Sequence, residues 1–167
     1  MTVKHKYYGF SLIESVIFIV IVGIAITGTV TLFTTNVSHS HEPLLRQKAI
    51  SLANMYMDEI LRKKWNEATP NGGGRVAAGD IVAIGDDGDS RAAYDDIDDY
   101  HNLSDNPPKD QTGTDLNDFS GYSVTVSVTE PSSAWHSIPA ADVRKIEVSV
   151  TTPMSETISL VAYRSNF

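Results

Sequence analysis

The stretch GFSLIESVIFIVIVGIAITGTVTLF, residues 9–33, determines how the rest of the chain is organised. Within residues 10–34 the only formally charged side chain is Glu14, and residues 16–33 contain nothing more polar than threonine or glycine. A helix of about 20 such residues is long enough to span a bilayer. We therefore expect a transmembrane helix, and its one carboxylate needs a physical explanation.

Lysine and arginine flank this apolar run closely at one end only. Lys4 and Lys6 precede it, and the next lysine or arginine downstream is Arg46. Because positive side chains stay on the cytoplasmic side of a membrane, we expect the N-terminus in the cytoplasm and the rest of the chain outside it. A cleaved secretory signal is the alternative, but it requires an apolar core of about 7 to 15 residues and a small-x-small cleavage site. The longer run here favours a single-pass membrane protein.

Residues 9–14 (GFSLIE), after a short basic leader and before an apolar helix, resemble the processing signature of type IV pilins and the related secretion pseudopilins. In that family a prepilin peptidase cuts between the glycine and the phenylalanine and then methylates the new amine. The resemblance implies cleavage between Gly9 and Phe10, N-methylation of Phe10, and assembly with other pilin subunits through Phe10 and Glu14. It also implies an inner-membrane precursor with a periplasmic head domain, which becomes part of a pilus at the cell surface.

The resemblance suggests a physical role for Glu14. The new amine on Phe10 and the Glu14 carboxylate would each be costly in hydrocarbon, and pairing between neighbouring subunits would neutralise both. An acidic residue at mid-membrane costs about 2.5 to 3.5 kcal/mol, and Glu14 is shallower, so roughly one or two kcal/mol would favour assembly. The alternative is that Glu14 reaches the interface beside the lysines and has no role.

The pattern beyond the membrane segment predicts an amphipathic helix followed by a sheet. Pro43 is expected to kink the helix because it lacks an N–H. Apolar residues then recur at helical spacing (Leu45, Ala49, Leu52, Tyr56, Ile60), with polar residues opposite them (Arg46, Asn54, Asp58, Arg62). Three later runs, in residues 122–129, 145–151 and 158–162, alternate apolar and polar residues as antiparallel strands do.

These elements predict an α+β fold, in which an amphipathic helix packs on a small antiparallel β-sheet. The same order of elements is pilin-like, with a long N-terminal helix that is transmembrane in its first half and amphipathic in its second. The expected segments are a cleaved leader (1–9), an assembly helix with its linker (10–42), an amphipathic helix (43–66), an acidic variable connection (67–121) and the sheet (122–167).

Between helix and sheet, residues 80–118 contain twelve aspartates but only two cations, Arg91 and Lys109. This composition is typical of loops, with a short strand expected at residues 80–84 and a compact turn or irregular helix at 91–100. Calcium prefers six to eight oxygen ligands, so the clustered aspartates are calcium candidates (Asp86, Asp87, Asp89, Asp95, Asp96, Asp98, Asp99). The competing interpretation, an acidic loop facing solvent or a neighbour's basic patch, requires no metal.

Composition and motifs narrow the functional class. The net charge is −8 and no basic face is evident, so we expect no nucleic-acid partner, and the chain has no cysteine. Catalytic motifs such as Gly-x-Ser-x-Gly or His-Glu-x-x-His are missing, so no enzyme activity is expected, although His101 or His136 could still join a dispersed set. Three alternatives stay open: a pilus subunit, a type II secretion pseudopilin, and a non-polymerising, membrane-anchored calcium-binding domain.

Stretches in residues 91–107 (RAAYDDIDDYHNLSDNP), 121–130 (GYSVTVSVTE) and 158–166 (ISLVAYRSN) are similar to minor pilins of the mannose-sensitive haemagglutinin (MSHA) pilus. This narrower resemblance implies a minor subunit that supports pilus biogenesis or adhesion.

Overall fold

A computed structural model describes residues 9, 11–38, 42–85 and 88–167. The chain divides into two units, residues 1–42 and 43–167. The first unit contains helix α1, Leu12–Ser38, in which residues Leu12–Val30 form an apolar helix long enough to cross a membrane. Its large apolar side chains are exposed on every side of the helix (Leu12, Ile13, Val16, Ile17, Phe18, Ile19, Val20, Ile21, Ile24, Ile26, Val30). Lipid or other helices are therefore required to cover α1.

The second unit begins with helix α2, Glu42–Leu61. Pro43, where a kink was predicted, lies in the first turn of α2. The N–H groups of a first turn have no partner within the helix, so the N–H that proline lacks costs no helical hydrogen bond. Residues 39–41, where the kink would join the two helices, lie outside the described residues. At the other end of α2, the Arg164 guanidinium donates to the carbonyl oxygens of Leu61, at 2.9 Å, and Lys63. This side chain satisfies carbonyls that a helix terminus leaves unpaired.

The predicted antiparallel sheet is confirmed, with one additional strand. Its order is β1 (Ser104–Asp105), β2 (Ser123–Thr129), β3 (Val143–Thr151) and β4 (Thr157–Ser165), each pair antiparallel. The short β1 lies in the acidic connection, at two residues for which no strand was predicted. Three single-turn 3₁₀ helices, Asp98–Tyr100, Asn117–Phe119 and Ala140–Asp142, complete the described elements.

The strand predicted at residues 80–84 is wrong, because a side chain takes the place of a neighbouring strand. The Asn66 amide accepts the Val82 N–H at 3.0 Å and donates to the Val82 carbonyl at 2.9 Å. The backbone of Val82 thus has both partners without a β-ladder, and the segment is irregular.

The core of the second unit lies between α2 and one face of the sheet. Alternate residues of β2 and β3 (Val124, Val126, Val128, Ile146, Val148, Val150) pack with the predicted apolar stripe of α2 (Ala49, Leu52, Tyr56, Ile60). The compact turn that was predicted at residues 91–100 of the acidic connection adds three core residues, Tyr94, Ile97 and Tyr100. This connection is therefore part of the folded head and not an appendage to it.

Candidate functional site

The predicted processing site lies at the beginning of α1. Gly9 is exposed and non-helical, and Phe10 lies outside the described residues. The Ser15 amide donates to the Ser11 carbonyl at 3.1 Å, so the helical bonding pattern begins at this point. Gly9 therefore precedes the helix and is itself exposed.

Glu14 is the acidic residue of the first turn of α1, and its side chain is exposed. Within residues 9, 11–38, 42–85 and 88–167 it has no hydrogen bond or ion pair. Ser11 and Glu14 have the spacing of a capping box, but the same residues show no bond between the Ser11 N–H and the Glu14 carboxylate. The positive end of the helix favours a carboxylate here, yet both carboxylate oxygens remain free to accept a donor.

Two hydroxyl groups further along α1, those of Thr27 and Thr29, are satisfied within the helix. Thr27 Oγ1 donates to the Gly23 carbonyl at 2.8 Å, and Thr29 Oγ1 donates to the Ala25 carbonyl at 2.5 Å. Bonds of this kind allow threonine to lie in an apolar environment without an external partner. Glu14 is different, because a carboxylate cannot be satisfied by the carbonyls of the preceding turn.

We use the name acidic turn for residues 94–100, which contain four of the predicted calcium ligands. Asp95 Oδ2 lies 2.6 Å from Lys64 Nζ. Asp96 Oδ1 accepts the N–H groups of Asp98 and Asp99 at 2.7 and 3.1 Å. Asp99 Oδ2 accepts the N–H groups of Asp95 and Asp96 at 2.8 and 3.1 Å. The carboxylates therefore hold the turn together by bonds to its own backbone.

Asp98, the fourth of these residues, has a buried cation as its partner. Arg144 on β3 donates from Nε to Asp98 Oδ1 at 2.9 Å and from Nη2 to Oδ2 at 3.3 Å. The Asn66 amide also donates to Asp98 Oδ2, at 2.9 Å. The guanidinium carbon of Arg144 lies 4.6 Å from the centre of the Trp65 ring, and the Arg144 side chain is fully buried. This bidentate pair fixes the acidic turn to the sheet.

The remaining predicted calcium ligands are not part of this cluster as the structure describes it. Asp86 and Asp87 lie outside the described residues, and Asp89 is exposed. The acidic loop that was expected to face solvent or a neighbour's basic patch is in part internal, because Asp96, Asp98 and Asp99 are buried. These carboxylates can be buried because each of them accepts hydrogen bonds from nearby donors.

Among the described residues, one group of carboxylates has its oxygens close enough together to contact a single cation. Oxygens of Glu67, Asp95 and Asp96 lie within 4.8 Å of one another. Burial raises the pKa of Asp96 to about 7, with further contributions from the neighbouring Asp99 and Asp98 carboxylates. A hydrogen bond from Lys64 lowers the pKa of Asp95. Glu67 was not among the predicted ligands, and the Lys64 ammonium already supplies a positive charge to this group.

A second buried cation, Arg91, was also missed by the sequence analysis. Its Nη1 lies 2.8 Å from Glu59 Oε1, and its guanidinium lies 4.7 Å from the centre of the Tyr100 ring. The Tyr100 hydroxyl donates to the same Glu59 oxygen at 2.7 Å. The Tyr56 hydroxyl on α2 donates to Asp105 at 2.7 Å. Polar groups of α2 therefore hold the acidic connection in place.

The sequence contained a signal for both buried ion pairs. Arg144 occupies the inward phase of β3, two residues before Ile146, and Glu59 lies on the apolar stripe of α2, beside Ile60. A charged residue in phase with core residues predicts a buried counterion. The partners themselves could not be identified, since Arg91 and Asp98 lie far away in sequence.

The two histidines considered for catalysis have different neighbours. His101 Nδ1 accepts the Val128 N–H at 3.3 Å at the margin of the sheet. His136 lies exposed in a tight turn, in which Trp135 and Ile138 exchange backbone bonds of 2.9 and 2.8 Å.

Comparison of the chain with models of known protein families, with curated proteins and with solved structures gave no match.

Proposed function

We propose that this chain is a minor subunit of a type IV pilus of the MSHA kind, with a pilin-like fold. A prepilin peptidase cleaves it after Gly9 and methylates Phe10. The precursor lies in the inner membrane with its head domain in the periplasm, and it then assembles with other pilin subunits through the N-terminal helix. In the pilus it supports biogenesis or adhesion by non-catalytic contacts, with no metal requirement.

The observation that carries this proposal is the unpaired Glu14 carboxylate in the first turn of an apolar helix. The side chain is exposed and has no partner among the described residues, while Thr27 and Thr29 of the same helix are satisfied internally. A lone carboxylate in lipid is costly, so a cation from another chain would lower the free energy of the assembled state. The ammonium that cleavage creates on Phe10 of a neighbouring subunit has the right charge and depth.

The order of elements supports the same proposal. An apolar helix that needs to be covered precedes a head in which an amphipathic helix packs on an antiparallel sheet. Such a chain can sit in a membrane as a monomer and exchange lipid for helices of other subunits in a filament.

Intact mass of the native chain tests the processing step. We expect a polypeptide that begins at Phe10 and carries one added methyl group. A native chain that still begins at Met1 would contradict the proposal.

Substitution of Glu14 tests the assembly step. Glu14→Gln keeps the size of the side chain but removes its charge, so we expect normal membrane insertion and a strong loss of this subunit from sheared filaments. Ser15→Ala is the matched control in the same helical turn and should leave incorporation unchanged. Normal incorporation of the Glu14→Gln chain would contradict the assembly role proposed for Glu14, and absence of the unsubstituted chain from sheared filaments would favour the non-polymerising membrane anchor. Loss of protein secretion without loss of pili would instead assign the chain to a type II secretion apparatus.

A further inference from the structure

A cavity of about 250 Å³ lies at the C-terminal end of α2, and among the described residues every charged side chain that lines it is basic. These side chains are Arg62, Lys63 and Lys64, which follow α2 directly, and Arg164 of β4. The chain as a whole has 21 acidic and 13 basic side chains, with a net charge of −8. Four of its 13 lysines and arginines therefore meet at one cavity in an otherwise acidic protein.

The two arginines of this cavity have no carboxylate partner within the part of the chain that the structure describes. The Arg62 side chain is exposed and has no hydrogen bond or ion pair there. Arg164 donates only to the carbonyls of Leu61 and Lys63, and a carbonyl accepts a hydrogen bond without neutralising the cation. Burial lowers the pKa of the Arg164 guanidinium, as expected for a cation with no acid close to it.

The two lysines of the cavity differ from each other in their partners. Lys64 Nζ lies 2.6 Å from Asp95 Oδ2, so its charge is balanced within the chain. Lys63 Nζ donates to the Tyr94 carbonyl at 2.5 Å and has no ion pair among the described residues. Positive charge therefore remains in the cavity after the one carboxylate that pairs with its lining residues is counted.

Arg164 is also fixed in position, which prepares it to bind a ligand. Its Nη1 makes both bonds to the carbonyls at the end of α2, while its Nε and Nη2 have no acceptor within the described residues. Trp65, which lines the same cavity, donates from its indole N–H to the Arg164 carbonyl at 3.3 Å. A guanidinium held in this way loses little conformational entropy when its remaining donors bind an anion.

A glycine-rich turn forms another part of the cavity wall. The Gly73 amide donates to the Pro70 carbonyl at 3.0 Å, and φ is 95° at Gly72 and 88° at Gly73, values that favour glycine. The N–H groups of Asn71 and Gly72 have no acceptor among the described residues. Because Gly72 and Gly73 carry no side chain, an anion can approach this backbone closely.

We propose that this cavity binds a phosphate group, which Arg62 and Arg164 hold by guanidinium hydrogen bonds and Lys63 attracts by its charge. Planar guanidinium groups match the geometry of phosphate oxygens, and a phosphomonoester carries a charge of about −1.5 to −2 at pH 7. A single carboxylate or chloride ion would balance only one of the two arginines. The phosphate group belongs to a small soluble phosphomonoester or to a lipid headgroup. All lining residues lie in the second unit, so occupancy does not depend on processing at Phe10.

The indole N–H signals of the two tryptophans test the site directly. Trp65 lines the cavity, whereas Trp135 stacks on Tyr163 with ring centres 5.3 Å apart. The full chain, labelled with ¹⁵N-tryptophan and solubilised in dodecyl maltoside, is titrated with glycerol 3-phosphate or with sodium chloride at equal ionic strength. We expect the phosphomonoester alone to shift the Trp65 signal to saturation, with the Trp135 signal unchanged. Equal shifts with chloride, or equal shifts of both tryptophans, would overturn the proposal.

A short-chain lipid distinguishes the two sources of the phosphate group. Dihexanoyl phosphatidic acid carries a phosphomonoester, and dihexanoyl phosphatidylcholine, whose headgroup has no net charge, is its control. A saturable Trp65 shift with phosphatidic acid but not with glycerol 3-phosphate would support binding of a lipid headgroup. Saturation by glycerol 3-phosphate at equal or lower concentration would support a soluble ligand. If neither compound gave a saturable shift, the cavity would not be a phosphate site.

Arg62→Gln tests the role of the exposed arginine without removing a described contact of its side chain. We expect the Kd for glycerol 3-phosphate or phosphatidic acid, whichever saturates the Trp65 shift, to rise about tenfold. Arg62→Lys keeps the charge but not the planar fork and should give a smaller rise. Arg46→Gln is the control, because it removes the same charge about 24 Å away along α2, which is farther than salt lets a charge act. An unchanged Kd in Arg62→Gln, or an equal rise in Arg46→Gln, would contradict the proposed site.

Discussion

Asp96 and Asp98 lie two residues apart in the acidic turn and are both buried, but only Asp98 has an arginine as its partner. Asp96 instead accepts two backbone N–H groups and lies close to other carboxylates. Burial without a cation favours the protonated form, which explains why the pKa of Asp96 is raised to about 7.

The raised pKa of Asp96 predicts that the protein is more stable at mildly acidic pH. The unfolded chain releases this proton near pH 3.8, whereas the native chain holds it up to about pH 7. Between these values the native state binds more protons, so the free energy of unfolding falls as pH rises and then levels off above pH 7. Asp96→Asn should raise stability at pH 8 by on the order of 2 kcal/mol and flatten this dependence.

Thermal unfolding of the full chain between pH 5 and pH 8 measures this effect. The side-chain amide oxygen that Asp96→Asn introduces can still accept both N–H groups, so the turn should remain folded. Asp115→Asn, at an exposed site, serves as the control and should leave the pH profile unchanged. A steep profile that persists in the Asp96→Asn chain would show that another group controls it.

The Arg144–Asp98 pair predicts that substitutions of two neighbouring β3 residues, Arg144 and Lys145, differ strongly in their cost to stability. Arg144→Met leaves the Asp98 carboxylate buried without its cation, so we expect a loss of about 3 to 5 kcal/mol in unfolding free energy. Lys145→Met removes a partly exposed pair with Glu147 at 2.8 Å and should cost less than about 1 kcal/mol. Denaturant unfolding measures the free energy of unfolding of both variants. Equal losses of free energy would contradict the assigned role of the buried pair.

At the scale of elements, two asparagines replace missing strand neighbours. Asn66 bonds to both backbone groups of Val82, and Asn166 bonds to both backbone groups of Val76 at 2.8 and 2.9 Å. These amides attach the irregular segment after α2 to the folded head. Periodicity could not predict them, because one amide side chain satisfies a backbone that would otherwise require a strand.

Asn66→Asp tests this attachment. The carboxylate loses the two N–H donors that bind the Val82 carbonyl and Asp98, and it brings a like charge close to Asp98. We expect faster proteolytic cleavage within residues 79–85 and a loss of about 2 kcal/mol or more in stability. Asn71→Asp, at an exposed position in the same segment, should change neither. Unchanged cleavage of the Asn66→Asp chain would show that the segment is held in another way.

The acidic connection also bears on the calcium hypothesis. Calcium needs six to eight oxygens, but Asp95, Asp98 and Asp99 already bond to Lys64, Arg144 and the backbone. We therefore expect millimolar calcium to change neither the melting temperature nor the cleavage of residues 88–118, with magnesium as the control for ionic strength. Calcium-specific protection that is lost in an Asp96→Asn chain would contradict this expectation and support a site at Glu67, Asp95 and Asp96.

At the scale of the whole molecule, sequence periodicity was sufficient to predict the core residues of elements that bury one face along their whole length. Leu52 and Tyr56 on α2, and Val124 and Val126 on β2, lie in the core as their spacing predicted. It failed for the acidic connection, because the burial of Asp98 depends on an arginine 46 residues away. Local composition shows only that aspartates are usually solvated. The hydrogen-bond donors that allow their burial come from residues that are distant in sequence and are brought close by the fold. The Glu14 carboxylate could be singled out from sequence, because it is the only formal charge within residues 10–34.

The division of the chain into two units predicts that assembly and stability of the head can be altered separately. Among the described residues, the hydrophobic core and the partly buried residues packed against it all lie within residues 45–162 of the second unit. Ile146→Ala should therefore lower the unfolding free energy of the head by about 3 kcal/mol because it leaves a cavity in that core. The same chain should still resist extraction from membranes by alkaline carbonate, since α1 is unchanged.

Glu14→Gln should show the reverse behaviour, with normal melting of the detergent-solubilised head and reduced incorporation into filaments. Val161→Ala, at an exposed position, is the control for Ile146→Ala and should cost less than about 1 kcal/mol. If Glu14→Gln also lowered the melting temperature of the head, the carboxylate would have a partner within its own chain. Its role in assembly would then lose its physical basis, because a carboxylate already satisfied within the subunit gains little from a neighbour's amine.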